Sequence, residues 1–357
     1  MKDNNNISTK DTETERTITM SDKRDIFYTT ILSHVMSADG RHLACGLKRG
    51  KLAVFDIQSI VKQNHELDAK AEDDENLVDV KPLRRPQHLV DIETPVYSVT
   101  TIGHNSQFVV GGKGQLQGWV REDNELTNEW TIHLPANDCM ANTVATTDDM
   151  IYTGCGDNNV YGFDVETHKQ IHRLCEHNGY INCILLAKDG QRLYSGAEDG
   201  SVRIWDLRCP RKSVSTFEPY KYSDLQRQKY GNWIGTVELV SNDWLLCGGG
   251  PHLSLWHLNM LSYSTRFVTD SSTNVAVVHN DYIITGGNTT GLNIWEINGE
   301  LKSVLPTATD NVFSIATHQY KQSADTGIDQ VISAAGMSYK VDVCTNWKYK
   351  DFELVVY

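Results

Sequence analysis

The chain has 357 residues, 33 of them Lys or Arg and 46 Asp or Glu, for a formal charge of −13 with histidine neutral. No run of about 18 apolar residues occurs and the first 25 positions are polar, which argues against a membrane span or a secretory leader. An acidic field repels phosphate backbones, so RNA contact is expected to be at most indirect, and eight singly placed cysteines (Cys45, Cys139, Cys155, Cys175, Cys183, Cys209, Cys247 and Cys344), with no C-x-x-C pair and no histidine at zinc spacing, fit a reducing compartment and predict no metal site.

The first segment, residues 1–25, is too poor in large apolar side chains to bury enough surface to fold. It reads as a disordered polar tail or a short docking peptide. From residue 26 to 357 one pattern repeats: a strand with a small or polar residue, a turn, then a strand with an aromatic ten positions on. The first unit has Cys45 and Phe55. An insertion follows, residues 58–90, in which Glu66, Asp68, Glu72, Asp73, Asp74, Glu75 and Asp79 precede Lys81, Arg84 and Arg85. Such charge blocks predict a solvated loop, or an acidic contact for a basic partner.

The second unit (Val110, Trp119) is one residue shorter, and the third has Thr153 and Phe163. In the fourth, His177 to Leu207, strands Tyr180–Leu186, Arg192–Ser195 and Ser201–Leu207 alternate with the turns Lys188-Asp189-Gly190 and Glu198-Asp199-Gly200. The fifth (Cys247, Trp256) is again one shorter, the sixth has Thr285 and Trp295, and the seventh, Val312 to Val343, lacks the aromatic. Residues 351–357 are expected to supply its outer strand, because an unpaired edge at ring closure would invite aggregation. Without tail and insertion each unit is about 43 residues, the length of one four-stranded propeller blade.

These units resemble the WD-repeat β-propeller family across nearly the whole chain. The resemblance implies an all-β, seven-bladed WD-repeat propeller with an acidic insertion in the first blade. It also implies a polar tetrad in the fourth blade, His177, Ser195, Asp199 and Trp205, in which the buried indole N–H has an acceptor and the satisfied chain stiffens the blade. Blade three keeps Thr153 and Asp157 but has Phe163, and blade one has Arg49 where the aspartate would sit, so both are expected to rely more on packing.

No catalytic constellation is found: there is no G-x-S-x-G, H-E-x-x-H, phosphate loop or helix-opening G-x-G-x-x-G. The run Gly248-Gly249-Gly250-Pro251 lies between two strands and predicts a hairpin turn. His252 and His257 fall on opposite faces of an extended strand. No enzyme activity, cofactor or metal is therefore expected. The segment Cys209 to Asn232 mixes Arg211, Lys212, Lys221, Arg227 and Lys229 with Tyr220, Tyr222 and Tyr230. Its readings are a solvated loop, a protein interface or an RNA contact, and Trp233 is either part of that surface or a core residue of its strand.

At the fifth blade Gly231-Asn232-Trp233-Ile234-Gly235, then Ser241 through Pro251, then Leu253-Ser254-Leu255-Trp256-His257-Leu258, resemble the THO complex subunit 6 family. Further support lies in Ala197-Glu198-Asp199-Gly200, Asn298-Gly299-Glu300-Leu301-Lys302 and Ala334-Ala335-Gly336. The resemblance implies a nuclear, non-catalytic scaffold subunit of the THO part of TREX, coupling transcription to mRNA processing and export, with the other THO subunits, especially the coiled-coil subunits 5 and 7, as partners. The competing reading is a substrate receptor of a cullin-RING ubiquitin ligase. Trp205-Asp206-Leu207-Arg208 resembles the W-D-x-R box, in which Arg208 would grip the ligase adaptor.

Overall fold

Short alternating strands broken by turns give seven units, and each folds into a four-stranded antiparallel sheet whose strands follow sequence order. The computed structural model describes residues 29–73, 84–103, 107–122, 125–320 and 329–357, and side chains of the helix after residue 56 as far as Glu66. The tail, residues 1–25, residues 74–83 and the acidic side chains of residues 68–79 lie outside this description. Blade four shows the pattern: Ile181–Leu186 lines the channel, Arg192–Ala197 and Val202–Asp206 follow, and Ser213–Phe217 forms the rim. Inner strands neighbour one another in chain order, and the last, Val312–Gln319, returns to the first, Ile31–Met36, to close the ring.

A propeller has no single core. Seven apolar clusters form instead, each shared by two adjacent blades. Every junction also carries a side-chain latch between inner strands. The Val99 N–H donates to Ser33 Oγ at 3.0 Å, Ser98 Oγ donates to the Ala141 carbonyl at 2.7 Å, and the Ala276 N–H donates to Thr236 Oγ1 at 3.0 Å. Asparagine amides at the channel wall serve three more junctions: Asn142 to Ile181 O, Asn182 to Ile234 O and Asn274 to Val312 O, all at 3.0 Å. Backbone groups that would otherwise be lost to water at the inner edge are thereby paired.

Blades seven and one meet without exchanging a strand, since each is a continuous stretch of chain. At this seam the His34 N–H donates to Ser314 Oγ (3.1 Å) and Ser314 Oγ donates back to the His34 carbonyl (3.2 Å). Burial holds the His34 imidazole down at about 4, so it is neutral at pH 7, with Nε2 2.9 Å from Ser333 Oγ.

The insertion departs from the sequence expectation. Part of the presumed solvated loop is a helix, α1 (Ile57–Asp73), and His88–Asp91 is the outer strand of blade one. Asp56 caps the helix by accepting the Ser59 N–H at 3.0 Å. Ile57, Ile60, Val61 and Asn64 recur at helical spacing and face the seam, where Ile57 and Val61 share a cluster with Val341, Val343, Phe352, Leu354 and Val356 of blade seven. Arg84 is the clasp. It is buried, donates to Ile60 O (2.9 Å) and Asn64 Oδ1 (2.6 Å), and lies over the Phe352 ring. Its backbone pairs in parallel with Leu354, its carbonyl accepting the Val355 N–H at 2.9 Å.

The final strand, Phe352–Val355, pairs with Lys340–Cys344 as expected. Phe352, Leu354, Val355 and Val356 are all buried. At roughly 1.5–3 kcal/mol per buried apolar side chain, their loss matches the whole net stability of a typical domain. A chain ending at Trp347 is therefore expected to be insoluble on expression, and soluble truncated protein that melts cooperatively would refute this account of closure.

Candidate interaction surfaces

In blade four the Trp205 indole N–H donates to Ser195 Oγ at 2.9 Å, and Ser195 Oγ lies 2.8 Å from His177 Nε2. His177 Nδ1 is 3.0 Å from Asp199 Oδ2. With the proton on Nδ1 every donor has an acceptor: indole to hydroxyl, hydroxyl to imidazole, imidazole to carboxylate. Burial alone would raise the Asp199 carboxyl, but bonds from His177, Ser201 and the Asn178 N–H hold it well below the usual carboxylate range.

The other third-strand tryptophans keep the indole bond and change the acceptor. Trp295 donates to Thr285 Oγ1 at 3.0 Å, the residue ten positions earlier. In the shortened units that position is Cys247 or Val110, a weak acceptor or none, and the indole turns to its own strand: Trp256 to Ser254 Oγ (2.8 Å) and Trp119 to Gln117 Oε1 (3.0 Å). Residues two apart on a strand share a face, so a polar residue two before the tryptophan is a legible signal.

Meander topology gives the disc two faces. One carries the turns between second and third strands and the connections from blade to blade; the other carries the remaining hairpin turns. The basic, tyrosine-rich segment divides between them. Arg208, Arg211 and Lys212 lie in the turn before strand Ser213–Phe217, and residues 218–233 emerge after it on the opposite face. Five strand residues span about 15 Å, so these groups form no single patch.

On the hairpin face Arg211 and Lys212 are exposed. Arg208 is exposed too, but its guanidinium makes a two-point pair with Asp206, Nε to Oδ1 at 2.9 Å and Nη2 to Oδ2 at 2.6 Å.

On the connection face Arg227 is a structural clamp, contrary to its expected place in a docking surface. Its guanidinium is half-buried and donates to the carbonyls of Gly249, Gly250, Pro251, Thr269 and Ser271 and to Thr269 Oγ1, at 2.7–3.0 Å. Gly248 and Gly249 end the strand Trp244–Gly249, the hairpin turn begins at Gly250 and Pro251, and Arg227 ties it to the connection into blade six. Tyr230 stacks under Arg227 and donates to Asp270 O, and the Trp233 indole donates to Tyr230 O at 2.8 Å. Tyr220 donates to Glu218, which also pairs with Lys221. Tyr222 sets its edge against Trp256 and Tyr263 while staying partly exposed. Among the basic and tyrosine residues of this loop, Lys221, Tyr222 and Lys229 have exposed side chains.

Beside the loop the channel opens into a cavity of about 450 Å³ walled by Tyr97, Trp233, Phe313 and the asparagines, with no ionisable acid or base in its lining beyond the Tyr97 phenol and the Cys183 thiol. Burial holds that thiol in its neutral form by pushing it up. On the inner strand Ile234–Ser241, burial pushes Glu238 up to about 8, Lys188 opposing it only in part. One grouping escaped the sequence reading. Cys139, Cys155 and Asp157 bring their ligating atoms within 4.8 Å of one another on the connection face of blade three.

A family model described as WD domain, G-beta repeat, matches residues 168–206. The chain is 30% identical over 334 residues to THO complex subunit 6 homolog of Rattus norvegicus and to THO complex subunit 6 of Homo sapiens, covering 91% of this chain and 92% of each relative. It is 28% identical over 341 residues to the THO complex subunit 6 homolog of Danio rerio, covering 92% and 98%.

The Glu238 carboxyl yields a pH test. Raised from 4.5 to about 8, it is protonated in the folded chain and ionised in the unfolded chain between those values, so its contribution to stability is full below pH 4.5 and lost as pH rises to 8. Glu238→Gln is expected to raise Tm little at pH 5 and by several degrees at pH 8.5. An equal shift at both pH values in thermal melts would show that the carboxyl is not held neutral.

Proposed function

The chain belongs to the THO complex subunit 6 family, and on that premise we propose that it serves as a non-catalytic scaffold in the nucleus. Within the THO part of TREX it couples transcription to mRNA processing and export by docking other proteins, the coiled-coil subunits 5 and 7 foremost. The observation that carries this reading is the similarity to THO complex subunit 6 proteins over nine-tenths of both chains, which spans every blade. A ring of seven latched wedges suits such a task, since it presents fixed turns on two faces. The charge of −13 favours protein partners over direct RNA contact.

The docking surface we assign is the connection face between blades four and five. There the exposed Lys221, Tyr222 and Lys229 stand on a loop fixed by Arg227, next to the aromatic channel mouth with Trp233. Preorganised tyrosine and tryptophan side chains are frequent anchors of an interface, and basic groups at its rim steer acidic partners. Docking an adaptor through Arg208 would require its two-point pair with Asp206 to open.

The test is recovery of tagged full-length protein from nuclear extract after nuclease treatment, with partners identified by mass spectrometry. Stoichiometric THO subunits, including 5 and 7, are expected without RNA, and Lys221→Glu with Lys229→Glu is expected to cut their recovery several-fold at unchanged Tm. Arg208→Ala is expected to leave recovery intact. A cullin adaptor recovered in place of THO subunits, and lost with Arg208→Ala, would replace this reading.

A further inference from the structure

Blade three lacks the brace of blade four: Phe163 stands in place of the tryptophan, and Thr153 Oγ1 turns to the Thr143 carbonyl at 3.1 Å. In the same region two thiols and a carboxylate converge. Cys139 ends the connection from blade two, where its carbonyl accepts the Gly114 N–H (2.6 Å) and its N–H donates to Ala136 O (3.0 Å). Cys155 is the last residue of strand Met150–Cys155, and Asp157 lies in the turn that follows. Both thiols are buried and Asp157 is partly exposed, so the group has a solvent-facing side.

From this convergence we infer that Cys139, Cys155 and Asp157 form a binding site for a soft divalent cation of the Zn²⁺ class, with the fourth position taken by water. A tetrahedral ion with metal–sulfur bonds near 2.3 Å sets its sulfurs about 3.8 Å apart. The three ligating atoms already lie within 4.8 Å of one another, so only small side-chain adjustments are needed.

Supporting partners are in place as well. The Tyr161 hydroxyl donates to Asp157 Oδ2 at 2.5 Å and the Asn159 N–H donates to Oδ1 at 3.2 Å, which orients the carboxylate and leaves lone pairs on both oxygens. Binding exchanges the two thiol protons for two metal–sulfur bonds and releases both protons to solvent, with no change of oxidation state. The ion would tie the connection from blade two to the turn of blade three, the two elements that His177 and Asp199 join in blade four.

The experiment is titration of chelator-stripped, thiol-reduced full-length protein with Co²⁺. One equivalent per chain is expected, with a sulfur-to-cobalt charge-transfer band that Zn²⁺ displaces, and with about two protons released per ion. Asp157→Asn and Cys139→Ser, both at loop positions, are expected to weaken binding more than about tenfold. Replacing the exposed Cys175 and Cys209 with Ser is expected to leave it unchanged. Absence of the band from folded wild-type protein would overturn the assignment, as would a band of equal strength in folded Cys139→Ser. A Cys139–Cys155 disulfide in protein isolated without reductant, that once reduced takes up no Co²⁺, would make the pair a redox couple instead.

Discussion

A ring of wedge-shaped sheets has nothing at its centre to hold it together, so its stability rests on closing every junction. Six of the seven junctions join blades consecutive in the chain, and a short connection already limits how far they separate. The seam between blades seven and one has no such tether. This chain closes it with three layers: the Ser314–His34 exchange at the channel, the shared apolar cluster in the middle, and the insertion outside, where Arg84 and α1 cover the last strand. Joining ends far apart in sequence carries the largest loop-closure cost in the fold, which accounts for the concentration of contacts there.

The insertion thereby changes its meaning. Its acidic content suggested solvent, yet its first two turns alternate Ile57, Ile60, Val61 and Asn64 toward the seam, while Gln58, Lys62, Gln63, His65 and Glu66 face water. An amphipathic helix in a charged segment serves both roles, an apolar stripe for the core and a polar back for solubility. Arg84 looks like one member of a basic cluster by composition. In the fold it is buried, and its charge is met by a helix carbonyl, an asparagine and an aromatic face.

The same constraint shapes the candidate docking surface. A loop that projects from a rigid rim binds well only if it is held, and Arg227 holds this one by satisfying carbonyls on two neighbouring segments. Removing the guanidinium would leave several buried acceptors unpaired, each costing about 1–3 kcal/mol. Fixing the loop lowers the entropy lost when a partner binds through Lys221, Tyr222 and Lys229.

Blade number, strand order and the identity of the aromatic on the third strands of blades one to six were all determined by the sequence, because a strand and its neighbour in a meander are local and their period is written in consecutive residues. The polar tetrad of blade four was legible for the same reason, its members lying within one unit. Tertiary structure alone decided that Arg227 faces inward and that one basic segment is shared between two faces. It alone also placed Cys139 beside Cys155 and Arg84 against Phe352. Each of these depends on contacts between segments whose separation in sequence carries no periodic signal, so only the closing of the ring brings them together.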